Sequence, residues 1–411
     1  MKVLYVSPYP PAQDGIATYT FYLAEAAREI GHDVRIVVPR PTQHTSSNVI
    51  GAIGSRGRES AELREAVAKW NPDVVHVQFA IAAFGTRTPV LLRWLNILRR
   101  DLAVPVVCTL HEVTTDTALL RAAARKIYRR LIGYCEYVIV HTHTACRVLT
   151  DRLGVPETKA LVIPHPSVQP SAGTSTPDEL RHRFNLGETK ILLAFGFIQA
   201  DKGLDDLVNA LGILRRANVA LLDDVCVVIA GAVRPRHGLF RIFEVRDRIY
   251  LAHVLRDARQ KSLRPYLVLT GYVPDGEVSA WFRVAEAVVL PYRRTEQSGV
   301  ANLATAFAVP VLSSTAGGLR EQFAGSRWTF PPHDPQSLAR ILATFLASSP
   351  SERKPIPAPY ASDLADVVKA TVELYHKSAR GPARLYDSKI RAVSSRTTEL
   401  HRAFSFRVQS R

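Results

Sequence analysis

The stretch PYRRTEQSGVANLATAFAVPVLSSTAGGLRE, residues 291–321, carries the clearest order of structural elements in this chain. It follows an apolar run that ends at Leu290, and a helix of small residues is predicted from Ser298. A second apolar run follows at residues 310–312. An apolar strand, a polar loop, a helix and another apolar strand are typical of a βαβ unit. The stretch therefore predicts a parallel sheet, with Glu296 in the loop where one strand ends.

The same alternation extends along most of the chain. Between the predicted strands lie helical patterns, such as GIATYTFYLAEAAREIG at residues 15–31. Strands buried on both faces of a parallel sheet must be nearly all apolar, and the alternation predicts doubly wound α/β sheets. The runs with that composition are KVLYV (2–6), DVRIVV (33–38), DVVHVQF (73–79), VPVVCTL (104–110), YVIVHT (137–142), ALVIP (160–164), KILLAF (190–195), DVCVVIAG (224–231), YLVLTGYV (266–273), EAVVLPY (286–292) and VPVLSS (309–314).

The length of the chain and one segment rich in Pro, Ser, Thr and Gly predict two domains. A chain of 411 residues exceeds one ordinary core, and the segment at residues 166–178 has no apolar periodicity. We expect an amino-terminal domain at 1–172, a linker at 173–186, a second domain at 187–378, and a basic tail at 379–411. A helix near residues 363–377 is expected to close the second domain.

Composition places the chain among ordinary globular proteins of a reducing compartment. The chain is 47% hydrophobic and 22% charged, and its sequence has no apolar run near the ~18 residues of a membrane span. The first strand begins at once, so no secretory signal is expected. The four cysteines are far apart and form no C-x-x-C pair, which indicates buried thiols. The expected location is the cytoplasm.

The net charge of +16 is unevenly distributed. Residues 377–411 contain nine Lys or Arg against two Asp or Glu, and RAAARKIYRR at 121–130 is a second basic cluster. Such asymmetry favours anionic partners, namely phosphates, an acidic membrane surface or nucleic acid, although charge alone does not exclude a solvated, Arg-rich surface. We expect no nucleic-acid partner, because the sequence lacks a recognisable nucleic-acid-binding motif.

Polar residues suited to binding a ligand lie just after predicted strands, where open α/β sheets bind ligands. Asp14 and Gly15 lie where the first helix is predicted to begin. Amides at a helix start suit an anionic or hydroxyl-rich ligand, and the alternative is a plain turn before the helix. The loop lacks G-x-G-x-x-G, which disfavours a dinucleotide oxidoreductase. His111 follows a strand and either binds a sugar hydroxyl or has a structural role. We expect the similarly placed His165 to fix its loop.

Two further positions favour a ligand with a diphosphate and a sugar. Lys202 lies in a strand-to-helix turn, where an ammonium beside a helix start suits a diphosphate, although lysine in a turn is commonplace. Glu296 precedes a helix start near Ser298, and an ionised carboxylate accepts hydrogen bonds from two hydroxyls of one sugar ring.

Together these motifs resemble glycosyltransferase family 4, the retaining GT-B enzymes. The resemblance covers DGIATYT (14–20), TLHEV (109–113), VIPHPSV (162–168), FGFIQADKG (195–203) and most of residues 296–321. It implies two facing Rossmann-like domains with an interdomain cleft. Its site residues in this numbering are Glu296 and His111 at the sugar, Lys202 and the amides of Ser298, Gly299 and Val300 at the donor, and the backbone at Tyr272 and Val273 at the base.

Two positions depart from the pattern that the family usually shows. A second Glu, which holds the ribose hydroxyls, is replaced by Ala304, and an Arg on the diphosphate is replaced by Phe197. A lost phosphate contact of this kind is worth about 1.5–3 kcal/mol. Arg234, Arg293 and Arg294 are candidates to replace that Arg.

The resemblance implies a metal-independent, retaining transfer of a sugar from a nucleoside-diphosphate sugar to a small-molecule, lipid or glycan acceptor. No cofactor and no metal ligand are expected, since no D-x-D pair is present. Peripheral contact with an anionic membrane through basic residues is a further expectation. The alternative is a degenerate transferase that only binds a nucleotide sugar or assists a partner enzyme.

Overall fold

A computed structural model describes all residues except 13, 41–45, 56–57, 60, 171–172, 236–240, 355–361 and 381–411. The predicted basic tail therefore lies almost wholly outside the described residues. Contacts between residues divide the chain into two units. Unit 1 comprises Met1–Val140, Cys146–Ile163 and Ala365–Arg411, and unit 2 comprises His141–Ala145 and Pro164–Leu364.

Unit 1 contains a seven-stranded parallel sheet with the strand order β3-β2-β1-β6-β7-β8-β9. The sheet forms because strands such as VVCTL are buried on both faces. The long helix α5 is broken at Arg121, whose φ is 45° and ψ −116°. The strands and helices of this part are β1 Lys2–Val6, α1 Gly15–Glu29, β2 Asp33–Val38, β3 Val49–Ala52, β4 Gly54–Ser55, β5 Arg58–Glu59, α2 Ala61–Trp70, β6 Val74–Phe79, α3 Ile81–Phe84, α4 Thr88–Asp101, β7 Val106–Leu110, α5 Val113–Gly133, β8 Tyr137–Val140 and β9 Ala160–Val162. The short helix α6 His143–Arg147 has residues in both units.

Unit 2 contains a six-stranded parallel sheet with the order β12-β11-β10-β13-β14-β15. Alternate residues of β10 enter different apolar clusters, Leu192 one and Ile191 and Leu193 the other, so both faces of this sheet are covered. Its elements are α7 Pro177–Arg183, β10 Lys190–Phe195, α8 Leu204–Ala217, β11 Val225–Ala230, α9 Arg241–Gln260, β12 Leu267–Leu269, α10 Asp275–Val284, β13 Ala285–Leu290, α11 Gly299–Ala306, β14 Val311–Ser314, α12 Leu319–Gln322, β15 Thr329–Phe330 and α13 Pro335–Ala347.

The last helix, α14 at Leu364–Ala379, lies in unit 1, whereas the sequence grouped it with the second domain. It buries Val367, Val368, Leu374 and Tyr375, and the Tyr375 hydroxyl contacts that of Tyr5 on β1 at 3.0 Å. A return of the chain to its first unit depends on tertiary contacts that no local pattern reveals. The predicted domain boundaries stay a prediction.

The predicted linker at 173–186 contains the short helix α7. Thr176 caps it: the Thr176 hydroxyl accepts from the Glu179 amide, and the Glu179 carboxylate accepts from the Thr176 amide. Pro177 at the first helical position and the fully buried Leu180 complete a standard helix start. The segment is therefore structured. The sequence did not indicate this helix, because its capping residues also fit a loop composition.

The structure confirms the predicted fold class of two α/β parallel-sheet units. Among the described residues, no helix combines the length and apolar character needed to cross a membrane.

Candidate active site

The carboxyl edge of the sheet in unit 2 carries most of the predicted site residues. Lys202 follows β10, Glu296 follows the neighbouring strand β13, and Tyr272 follows β12. Parallel strands end at one edge of a sheet, which is where open α/β sheets bind ligands. The fold therefore brings these residues to one edge of unit 2.

Two glycines after β14 hold the Glu296 loop at close range. A Cβ on Gly317 would lie 1.7 Å from the carbonyl oxygen of Thr295, and one on Gly318 would lie 2.1 Å from that of Glu296. Gly317 also has φ +50°, a backbone angle that residues with a side chain rarely adopt. The two glycines of STAGGLRE thus let the backbone pack directly against the loop that places Glu296.

Glu296 lies next to the amino end of α11 and is 6% exposed. The helix begins at Gly299, one residue later than the sequence predicts, and Ser298 is its N-cap. The Ser298 hydroxyl accepts a hydrogen bond from the Ala301 amide at 3.2 Å. By helix geometry the amides of Gly299 and Val300 have no acceptor within α11, so this end favours negative charge. A carboxylate and a helix start together suit a sugar joined to a phosphate.

Lys202 ends a 3-10 turn, Ala200–Lys202, that leads into α8. Gly203 has φ +65°, and a Cβ there would lie 2.0 Å from the carbonyl oxygen of Pro291. This close approach brings the turn to the end of β13. The Lys202 ammonium lies 3.7 Å from the centre of the Tyr292 ring, which is buried. The cation is therefore held on an aromatic face beside the sheet edge.

The three arginines proposed to replace the family's phosphate ligand have different partners. Arg293 forms ion pairs with Asp205 and Asp206 at 2.6 and 2.8 Å, and these carboxylates raise its pKa. Arg294 pairs with Asp201 at 2.9 Å. These two guanidinium groups are each engaged by carboxylates of this chain.

Arg234 is placed differently, because its guanidinium lies over the ring of Phe197 at 5.6 Å. The two segments run side by side, since the Ile198 amide donates to the carbonyl oxygen of Ala232 at 2.9 Å. Of the three arginines, Arg234 is the one that contacts the residue standing in the family's arginine position.

Ala304 is fully buried in an apolar cluster of unit 2 that also contains Val309 and Val311. Its surroundings are those of a core residue, so a carboxylate at this position would be desolvated here. Of the predicted base-binding residues, the Tyr272 side chain is 46% exposed, whereas that of Val273 packs in the core. Val273 therefore offers a ligand only its backbone.

In unit 1, Asp14 and Gly15 lie at the start of α1, as predicted. An Asp14 carboxylate oxygen accepts from the Ile16 amide at 2.8 Å and caps the helix. A Cβ on Gly15 would meet no heavy atom within 4 Å. The loop therefore has an acidic cap beside an open backbone position.

His111 follows β7 directly and is 4% exposed. Its amide donates to the carbonyl oxygen of Phe79 at 2.9 Å, and its Nε2 lies 2.8 Å from Oε1 of Gln78. Sequence reasoning missed Gln78, since it lies inside an apolar strand. A polar residue at a buried strand position beside the candidate histidine was the available signal.

His165 follows β9, and its Nδ1 lies 2.8 Å from Nδ2 of Asn302 on α11. The Asn302 side-chain oxygen accepts from Gln322 at 2.8 Å, which ties α12 to the same group. Burial lowers the pKa of His165 to about 4. These contacts are those of a residue that fixes its loop. Among the residues with described positions, no three His, Cys, Asp or Glu are grouped as a metal site requires.

The chain is similar to curated proteins and to solved structures. At 26% identity, it aligns with the D-inositol 3-phosphate glycosyltransferase of Kineococcus radiotolerans over 80% of this chain and 76% of that protein. The enzyme of the same name from Salinispora tropica is 29% identical, over 59% of this chain and 52% of the relative. The latter alignment thus spans about half of the relative.

The solved structures share its fold. Anabaena HepE in complex with UDP and glucose has a TM-score of 0.69 at 15% identity and covers 92% of this chain and 100% of that chain. Sucrose-phosphate synthase from Thermosynechococcus elongatus has a TM-score of 0.65 at 17% identity and covers 95% and 100%.

Two family models match consecutive parts of the chain. The model described as Glycosyltransferase Family 4 matches residues 13–166, and the one described as Glycosyl transferases group 1 matches residues 177–360. Together with the sheet topology of the two units, these matches show that the chain belongs to glycosyltransferase family 4.

Proposed function

We propose that this glycosyltransferase moves a sugar from a nucleoside-diphosphate sugar to an acceptor with retention of anomeric configuration. The observation that carries the proposal is the sheet edge of unit 2. There the Thr295–Glu296 backbone is packed against Gly317 and Gly318, next to the start of α11, and Lys202 lies beside the same strand end.

The charges at this edge match the charges of the reaction. Breaking the anomeric C–O bond leaves negative charge on the diphosphate and positive charge on the sugar. Lys202 and the amides of Gly299 and Val300 stabilise the first, because preorganised cations and dipoles act where charge develops. Glu296 accepts hydrogen bonds from the sugar hydroxyls and favours the developing positive charge. We also assign a sugar contact to His111.

Arg234 is the residue we assign to the second phosphate contact. Its guanidinium lies over the ring of Phe197, which stands in the position of the family's arginine. Cation and aromatic ring together occupy the place where the family carries one arginine. Tyr272, with an exposed ring, is the residue we assign to the base.

The relatives suggest the first substrates to test. HepE binds UDP and glucose, and the curated relatives act on D-inositol 3-phosphate. We therefore propose a uridine-diphosphate sugar as donor and a small phosphorylated polyol as acceptor. We also propose action in the cytoplasm, without cofactor or metal, and peripheral contact of the basic helix α5 with an anionic membrane.

The second candidate function is a nucleotide-sugar-binding module without turnover. Ala304, buried where the family has a carboxylate, and Phe197 support it. The two functions differ in one measurement, which is hydrolysis of the donor by the purified chain.

Hydrolysis of a panel of nucleotide sugars, with and without inositol phosphates, tests the proposal. We expect Glu296→Gln to lower turnover at least about a hundredfold, since removal of one preorganised transition-state contact costs that much. The control is Glu286→Gln at the opposite end of β13, where the carboxylate pairs with Arg353 instead. Equal turnover in the two variants contradicts the site, and donor binding without hydrolysis supports the module.

Metal independence has its own test. Turnover should survive an excess of chelator, because the carboxyl edge offers cationic and amide groups for the diphosphate. Loss of turnover with chelator and recovery with manganese would contradict this part of the proposal.

A further inference from the structure

A buried row of polar side chains crosses unit 1 and ends at His111. Most core positions of these strands are apolar, and a polar group there is costly unless it is hydrogen-bonded. The members come from β1, β6, β7 and α14. All are 0% exposed except His111, which is 4% exposed, and they are Tyr5, His76, Gln78, Thr109, His111 and Tyr375.

Hydrogen-bond distances connect the row from end to end. The Tyr5 and Tyr375 hydroxyls are 3.0 Å apart, and the Tyr375 hydroxyl is 2.5 Å from Nδ1 of His76. On the other side of that ring, Nε2 lies 2.8 Å from the Thr109 hydroxyl and 3.3 Å from Nε2 of Gln78. Oε1 of Gln78 lies 2.8 Å from Nε2 of His111.

The Gln78 amide couples the protonation of the two histidines. A side-chain amide has a donating nitrogen and an accepting oxygen. Each of these two atoms therefore requires one tautomer of the neutral imidazole that it contacts. Oε1 faces His111, which must therefore carry its proton on Nε2. The Gln78 nitrogen faces Nε2 of His76, which must accept there and carry its proton on Nδ1.

The tyrosines extend this order to the far end of the row. His76 Nδ1–H donates to the Tyr375 oxygen, and the Tyr375 hydroxyl then donates to Tyr5. Burial raises the pKa of both phenols, so both keep their protons and no anion interrupts the row. Tyr375 lies on α14, almost 300 residues after His76, so this contact forms only when the last helix packs in unit 1.

We propose that Gln78, His76 and Tyr375 are positioning residues that hold His111 in its Nε2–H form. The inference rests on the proposed function, in which His111 binds the sugar. With the proton on Nε2, the Nδ1 of His111 is a hydrogen-bond acceptor, and it receives a hydrogen bond from a sugar hydroxyl. A phenol on the last helix thereby determines which atom of the candidate active-site histidine can accept.

Tyr375→Phe is the variant that separates this role from simple packing. It leaves His76 Nδ1–H without the phenol oxygen, which favours the other His76 tautomer, with its proton on Nε2 and donating to Thr109. Two donors would then meet between His76 and Gln78, so the Gln78 amide rotates and presents its nitrogen to His111. His111 is thereby driven to the Nδ1–H form.

Nitrogen NMR of the full chain, labelled with ¹⁵N-histidine, reads this directly, and the signals missing in His111→Gln assign the ring. We expect Nε2–H in the native chain, a shift toward Nδ1–H in Tyr375→Phe, and the native form in Tyr128→Phe. Tyr128 is the matched control, because it is also a fully buried tyrosine of unit 1 and donates to Asp116 at 2.6 Å.

Donor hydrolysis supplies the second measurement. We expect Tyr375→Phe to lower kcat about tenfold with little change in donor KM, since a net hydrogen bond to the reacting sugar is worth about that factor. Tyr128→Phe should change kcat less than about twofold. Nδ1–H in the native chain, or an unchanged His111 form in Tyr375→Phe, overturns the inference. The tautomer needs no turnover, so absence of hydrolysis in the native chain contradicts the proposed function instead.

Discussion

We propose that Arg234 and Phe197 together take the role of the single arginine that the family usually carries. The guanidinium lies 5.6 Å from the ring centre of Phe197, so the aromatic face orients a cation that the backbone position itself no longer supplies. Such an arrangement keeps a positive charge near the strand end. In this proposal the phosphate contact depends on a side chain from the loop after β11.

We expect Arg234→Ala to weaken binding of a nucleoside diphosphate about tenfold or more, because a hydrogen bond to a charged group contributes about 1.5–3 kcal/mol. Titration calorimetry measures this. Adding Phe197→Arg to the same chain should restore most of the affinity. The control is Arg294→Ala, which removes a surface ion pair with Asp201 and should change affinity little. Failure of Phe197→Arg to restore binding would exclude Arg234 as the replacement.

His165 predicts a pH dependence of stability. Its pKa is lowered to about 4 by burial, from 6.5. Above pH 6.5 neither the folded nor the unfolded chain protonates it. Below that pH the unfolded chain binds a proton that the folded chain rejects, so stability falls as pH decreases from 6.5 toward 4.

Between pH 7.5 and 5 this loss is on the order of 2 kcal/mol, since each unit is worth 1.36 kcal/mol. His165→Gln, which keeps an acceptor for Asn302, should reduce the fall by that amount in urea unfolding. His182→Gln on α7 is the exposed control. An identical pH profile in wild type and His165→Gln would contradict the assignment.

The positions of the candidate site residues could be predicted, because open sheets bind ligands at the ends of their strands, and Lys202, Glu296 and His111 do follow strand ends. The hydrogen-bond partners of these residues could not be predicted. Gln78 and Tyr375 reach His111 through contacts across 33 and about 300 residues, which no local pattern encodes. Their roles at the site stay predictions until the variants are measured.

At the scale of elements, close backbone contact explains why two glycines follow β14. A side chain on Gly317 would meet the carbonyl oxygen of Thr295, whereas one on Gly187, which has φ +53°, would meet nothing within 4 Å. Both glycines therefore have a left-handed backbone, and only Gly317 of this pair also has a steric constraint.

We expect Gly187→Ala to lower the free energy of unfolding by about 1–2 kcal/mol, the cost of a left-handed residue with a Cβ. Gly317→Ala should cost clearly more, because the loop must move to admit the methyl group, and turnover should fall as Glu296 moves with it. Denaturant unfolding and donor hydrolysis measure the two effects. Equal stability and turnover in the two variants would mean that this contact does not position Glu296.

The strands were predicted well because burial on both faces leaves a composition that little else produces. The ends were less well predicted. YLVLTGYV shortens to β12 at Leu267–Leu269, since its last residues form the turn at Gly271, with φ +79°, before α10. The helix α7 was missed because its capping residues resemble a loop.

Part of the net charge of +16 lies on a basic surface of α5. Leu119 and Leu120 are 55% and 46% exposed near that surface, which surrounds a cavity of about 530 Å³. Tyr128 and Leu131 of the same helix are fully buried in unit 1 and do not contribute to this surface. The cavity is lined by Ala122, Arg125, Lys126, Arg129 and Arg130.

Exposed leucines beside clustered cations favour an anionic bilayer as the partner of this surface. Each basic residue near such a bilayer contributes about 1 kcal/mol. Replacing Arg125, Lys126 and Arg129 with Gln should therefore weaken binding to vesicles containing acidic lipid on the order of a hundredfold. Flotation at low and high salt measures this, and added salt should weaken binding of the native chain as well.

Two control variants, in which positive charge is removed elsewhere in the chain, are measured in the same flotation assay. One replaces Arg248, Arg256 and Arg259 of α9 with Gln, an equal loss of charge on exposed positions of unit 2. The other ends the chain at Arg380 and so removes residues 381–411, which contain seven Lys or Arg and two Asp or Glu. If either control loses binding while the α5 variant keeps it, the membrane surface is not α5. If only the α5 variant loses it, charge at this helix and not net charge determines attachment.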